Sequence, residues 1–132
     1  LRRRARRGAA GGDAGWAALV EKYVGLADHL QSRIDAHPNL EMMSPRSWTN
    51  VCFRYVPAAA GMDLNEVNSE VRSRVMENAN FMVSRSNIGE DVIIRSVISN
   101  PGITEHSLDA FIDELLRIGN DVETGMPREP SF

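Results

Sequence analysis

The sequence has little of what most catalytic and metal-binding sites are made from. One cysteine, Cys52, stands among 132 residues. That excludes an internal disulfide and any zinc site built on several thiolates. Cys52 falls within a strand pattern, where core packing is expected of it. The three histidines, His29, His37 and His106, are scattered, without metal-ligand spacing. A surface role is expected for each, with His29 facing solvent. Lys22 is the only lysine. It lies beside Glu21 on the polar face of a helical pattern, and a nucleophilic lysine must be desolvated or tuned by neighbouring charge. There is no phosphate-binding glycine loop and no nucleophile elbow. No apolar run approaches the ~20 residues a membrane span needs. No apolar stretch follows the basic N-terminus, so it is not a secretory signal. These absences fit a reducing, cytoplasmic setting. The first residue is not Met, and the chain is expected to be a piece of a longer polypeptide.

Charge is present but uneven. The net charge is −3. Five arginines (Arg2, Arg3, Arg4, Arg6 and Arg7) crowd the first eight residues, leaving ten basic against eighteen acidic side chains, a net of −8, in the rest. An acidic body repels nucleic acid, so only the arm could contact phosphate. Residues 1–15, with Gly11-Gly12 as a breaker, are expected to form a flexible arm or the frayed end of a helix.

The remaining pattern reads as one α+β domain over residues 16–122. Apolar residues from Trp16 to Ile34 recur at three- and four-residue steps, a helix over 16–36 that Asp13 could cap and His37-Pro38 ends. Strands are expected at Leu40–Met43 and Val51–Val56. In the second, Val51, Phe53 and Tyr55 share one face, and Cys52, Arg54 and Val56 the other. Asp63 opens a helix to about Ala79, with Glu66 at capping-box spacing. Strands follow at Phe81–Ser84 and Val92–Ser99, with a loop around 87–90 between them. Thr104 caps a last helix to Ile118, with Gly119 placed to end it. The tail over 123–132 has the composition of a disordered segment. Consecutive strands with short turns predict a mostly antiparallel four-stranded sheet with helices packed on one face.

Arg95 interrupts the most apolar strand, VIIRSVIS. A guanidinium there is costly unless paired. It reads as half of a structural ion pair, as part of a strand rim exposed to water, or as a planar fork for a carboxylate-like anion. Arg54 in the companion strand poses the same question with less force. Met42, Met43 and Met62 are candidates either for core packing or for a surface that meets another domain.

The strings VCFRYVP at 51–57, FMVSRSNIG at 81–89, IIRSVISNPGIT at 93–104 and LDAFIDELLRIGNDV at 108–122 resemble the C-terminal small domain of the group II pyridoxal-phosphate-dependent amino-acid decarboxylases. The resemblance is strongest to the glutamate decarboxylase-like branch and covers roughly residues 14–122. It implies a fold-type-I homodimer whose large domain, outside this chain, holds pyridoxal 5′-phosphate through a lysine that follows a histidine. It implies that Arg95 contacts the acidic group of a substrate such as glutamate, aspartate or cysteine sulfinate. The chain alone would then be inactive, with no catalytic, cofactor-binding or metal-ligating residue of its own. The His-Lys dipeptide is absent, the arginine-rich start differs from the family's more apolar helix, and the tail has no counterpart. The alternative is a free-standing α+β module that binds a small anion or dimerises. A third reading, nucleic-acid binding through the arm, would demand affinity that falls steeply with salt.

Overall fold

In the computed structural model, residues 2–79 and 83–127 are described, with side chains from residue 15 onward and not at 78 and 79. Seven elements follow one another: α1 (Arg2–Asp35), β1 (Leu40–Met42), β2 (Asn50–Tyr55), α2 (Leu64–Ala79), β3 (Ser84–Ile88), β4 (Asp91–Val97) and α3 (Glu105–Glu123). The strands form one sheet in the order β1-β2-β4-β3, every neighbouring pair antiparallel. No helix among the described residues is long and apolar enough to cross a membrane.

Alternation decides which face each strand buries. Val51, Phe53 and Tyr55 are buried while Cys52 and Arg54 are only partly so. Register carries the same division across the sheet: Val51 pairs with Ser96 and Phe53 with Ile94 on one face, Cys52 with Arg95 on the other. The helices pack on the first face. Leu30 and Ile34 of α1, Val71 and Val75 of α2, and Leu108, Phe111 and Leu115 of α3 join Phe53 and Ile94 in one core. Phe53 meets Phe111 edge to face at 6.5 Å between ring centres. Burying each such side chain contributes about 1.5–3 kcal/mol, so this face holds most of what stabilises the domain. Met42 and Met62 pack at the margin of the core. Ser96 Oγ is buried there without a hydrogen-bond partner among the described residues.

Local chemistry sets the helix starts. Asp63 Oδ1 accepts from the backbone N–H of Asn65 at 2.9 Å and of Glu66 at 3.3 Å, capping α2. Thr104 Oγ1 accepts from Ser107 N–H while Ser107 Oγ accepts from Thr104 N–H, a reciprocal capping box on α3.

Most boundaries fall within two residues of the sequence expectation, and the larger departures are these. Helical backbone extends α1 back to Arg2, through the segment expected to be an arm and past the proposed Asp13 cap. Arg and Ala favour helix, and each interior glycine costs only about 1 kcal/mol. The third strand is Ser84–Ile88, not Phe81–Ser84; residues 80–82 lie outside the described residues. Gly89-Glu90 is a two-residue turn closing a β3–β4 hairpin, with Gly89 at φ +59, as a II′ turn requires at its first central position. Helix α3 runs past Ile118 and Gly119 to Glu123. Gly125, at φ +74, is the residue that ends it. Gly125 N–H donates to Val122 C=O and Met126 N–H to Asp121 C=O, the two bonds of a Schellman motif. The tail expected from 123 is therefore ordered through this cap, and residues 128–132 lie outside the described residues.

Candidate anion site on the open sheet face

By strand alternation and register, Glu41, Cys52, Arg54 and Arg95 share the sheet face opposite the helical core. The two arginines there differ in what they meet. Arg54 lies directly across from Glu41 in the β1–β2 register. Its Nε and Nη2 both reach Glu41 Oε2, at 3.1 and 3.0 Å. That pair satisfies the charge, so Arg54 is a structural cation.

Arg95 has no such acid. Among the described residues no carboxylate lies within salt-bridge distance of it, and its Nε donates to Asn50 Oδ1 at 3.1 Å. Asp91 and Glu90, its nearest acids in sequence, do not neutralise it. Asn50 is a partner that sequence reading missed. It lies 45 residues away, just before the expected strand Val51–Val56, and nothing local in the sequence marked it.

Asn50 is placed by a short chain of contacts. Its backbone N–H donates to Ser47 C=O at 2.8 Å and its C=O accepts from Ser47 N–H at 3.3 Å, closing a turn around Trp48 and Thr49. Arg46 braces that turn: Nη1 donates to Trp48 C=O at 2.7 Å, Nε to Gln31 Oε1 at 3.1 Å, and Nη2 to Asp28. The turn is thereby tied to α1. Trp48 stands in the left-handed region at φ +56, and its ring is exposed. Beside it an apolar groove of about 680 Å³ runs along Trp16, Val20 and Tyr23 of α1 and Ile98. Arg95 does not line this groove.

The remaining candidates fall elsewhere. Cys52 is free and partly exposed on the open face, not in the core, because register places it opposite Arg95. Lys22 Nζ is exposed and donates to Pro101 C=O at 2.9 Å. His29 is partly buried, not solvent-facing: Nε2 lies 2.7 Å from Asp109 Oδ1, linking α1 to α3. The His29 hydrogen bond holds the Asp109 carboxyl below the usual carboxylate range against its partial desolvation, with help from Arg33. Among the described residues no group of His, Cys, Asp and Glu could hold a metal ion.

No protein-family model matches the chain, but its fold recurs in solved structures. Oryza sativa TDC with PLP superposes with a TM-score of 0.75 at 20% identity, over 83% of this chain and 24% of that one. Catharanthus roseus tryptophan decarboxylase in complex with L-tryptophan gives 0.72 at 18% identity, over 80% and 22%. Mouse CSAD gives 0.72 at 22% identity, over 83% and 25%. The chain has the fold of a decarboxylase segment. That segment spans about a quarter of the length of those structures. In this decarboxylase-type fold, Arg95 sits on the sheet face opposite the three helices.

Proposed function

We propose that the chain is the C-terminal small domain of a pyridoxal-phosphate-dependent amino-acid decarboxylase of the glutamate decarboxylase-like branch. It acts within a homodimeric cytoplasmic enzyme on an acidic amino acid: glutamate, aspartate or cysteine sulfinate. The observation that carries this reading is Arg95. It is a partly buried cation on the sheet face opposite the helical core, held by an amide and, among the described residues, without an acid.

The residues present do not fit the cofactor itself. The one lysine is exposed and bonded to a carbonyl at the surface, which is no setting for a desolvated nucleophilic amine. Pyridoxal phosphate, held by the large domain, would supply the electron sink. The part assigned to this chain is a wall on the substrate side. There Arg95 binds the distal acidic group and orients the amino acid, an interaction strengthened when the large domain covers the face and excludes water.

Kinetics of the whole enzyme test this. Arg95→Ala should raise KM for an acidic substrate roughly ten- to hundredfold, the range expected for losing a charge-assisted hydrogen bond. Unchanged KM for acidic substrates, or turnover confined to aromatic ones, would remove Arg95 from the site. The isolated chain with added pyridoxal phosphate should release no carbon dioxide from glutamate. Release abolished by Lys22→Ala would reverse the assignment.

A further inference from the structure

A planar guanidinium offers a carboxylate two bidentate edges, the side edge of Nε with one Nη and the end edge of both Nη atoms. Arg54 spends its side edge on Glu41. Arg95 has its Nε–H taken by Asn50 Oδ1 at 3.1 Å. Since an Nε–H only donates, the atom of Asn50 that faces it must be the oxygen. This blocks the side edge of Arg95, and among the described residues no hydrogen bond or ion pair occupies its end edge.

The chemistry of the partner matters as much as its position. Glutamate at position 41 neutralises Arg54. An amide at position 50 fixes the plane of Arg95 while leaving its full positive charge for a guest. The amide is itself held on a firm base. The Ser47–Asn50 bridge pins its backbone, register sets it opposite Val97, Ile98 N–H donates to Thr49 C=O at 3.1 Å, and Arg46 ties the turn to α1. Fixing a long side chain before the ligand arrives removes part of the ordering cost of binding.

We propose that Asn50 is the positioning residue of the Arg95 anion site, directing a carboxylate or sulfinate onto the Nη1/Nη2 end of the guanidinium. This rests on the reading that Arg95 receives the anion. It adds the direction of approach and a reason for a neutral residue at position 50. Asn50→Asp is nearly isosteric but places a carboxylate where the amide stood. That carboxylate becomes a built-in competitor that neutralises Arg95.

The test uses the 132-residue chain, with glutarate as the probe and the Arg95 Nε–Hε resonance as the reporter. In the wild type the resonance should be sharp, and glutarate should shift it saturably. Asn50→Leu should move and broaden it and weaken the glutarate response about tenfold, the usual scale for one lost oriented contact. Asn50→Asp should abolish the saturable response at pH 7 while the fold, read by the thermal midpoint, survives. A merely structural role for Asn50 would leave the Arg95 resonance and its glutarate response intact in every folded variant, and that result overturns the proposal. If Asn50→Leu fails to fold, Asn50→Asp decides alone, and wild-type affinity in it overturns the proposal. Arg95→Ala separates the two layers, with its glutarate response and that of the wild type compared by calorimetry because the substitution removes the resonance itself. A glutarate response that survives its removal, or no saturable response in the wild type, sinks the anion reading itself. Loss in Arg95→Ala with no change in either Asn50 variant sinks only the positioning role.

Discussion

Gly119 lies against the ring of Tyr55 so closely that a Cβ there would fall 2.2 Å from Tyr55 Cε1 and 2.5 Å from Cδ1 and Cζ. Helix α3 crosses β2 at this point, and one turn further on the Glu123 carboxylate accepts the Tyr55 hydroxyl. The ring is therefore held at both ends and cannot swing aside. Gly119→Ala should destabilise the domain by about 1–3 kcal/mol, the scale of overpacking, although alanine favours helix by about 1 kcal/mol. Gly25 is the internal control. It is an exposed helical glycine with nothing within 4 Å of an added Cβ, so Gly25→Ala should stabilise by about 1 kcal/mol. Urea midpoints of the two variants check this; the same sign for both would refute the contact argument.

The Tyr55–Glu123 bond links α3 to the end of β2 and makes the fold sensitive to pH. Burial pushes the Glu123 carboxyl up. Hydrogen bonds from the Tyr55 hydroxyl and the Ala58 and Ala59 N–H groups outweigh it and hold it below the usual range. A depressed carboxyl contributes stability fully present above its unfolded value, near about 4.3, and lost as pH falls through the folded value. Tyr55 shifts the other way, raised by burial and then by Glu123. Its contribution is present below its unfolded value, about 10, and disappears as pH rises through the folded one. The stability difference between wild type and Glu123→Gln should thus be flat from pH 6 to 9 and shrink toward pH 3. A difference independent of pH down to 3 would exclude the charged clamp.

Trp48 occupies the first central position of its turn at φ +56, and the residue is 71% exposed. The left-handed region costs a non-glycine residue roughly 1–2 kcal/mol, and an exposed ring recovers little of that by packing. Trp48→Gly should raise the thermal midpoint, offset in part by the added freedom of the unfolded chain. A lowered midpoint would show that the indole contributes more by lining the groove along α1 than its backbone costs.

The sequence by itself determined the α+β class, the shared face of Val51, Phe53 and Tyr55, the caps at Asp63 and Thr104, and Arg95 as the cation that needed an explanation; which face of β2 meets the core came only with the structure, which puts Cys52 on the other one. These follow from periodicities and caps that act over a few residues, so they can be read in order along the chain. Only the tertiary structure decided that Arg54 is answered by Glu41 and Arg95 by Asn50, that His29 meets Asp109 from 80 positions away, and that Gly119 serves the Tyr55 ring while Gly125 ends the helix. Those pairings depend on strand register and helix crossing. A shift of one residue in β2 would put a different side chain opposite Arg95, and nothing local in the sequence specifies that alignment.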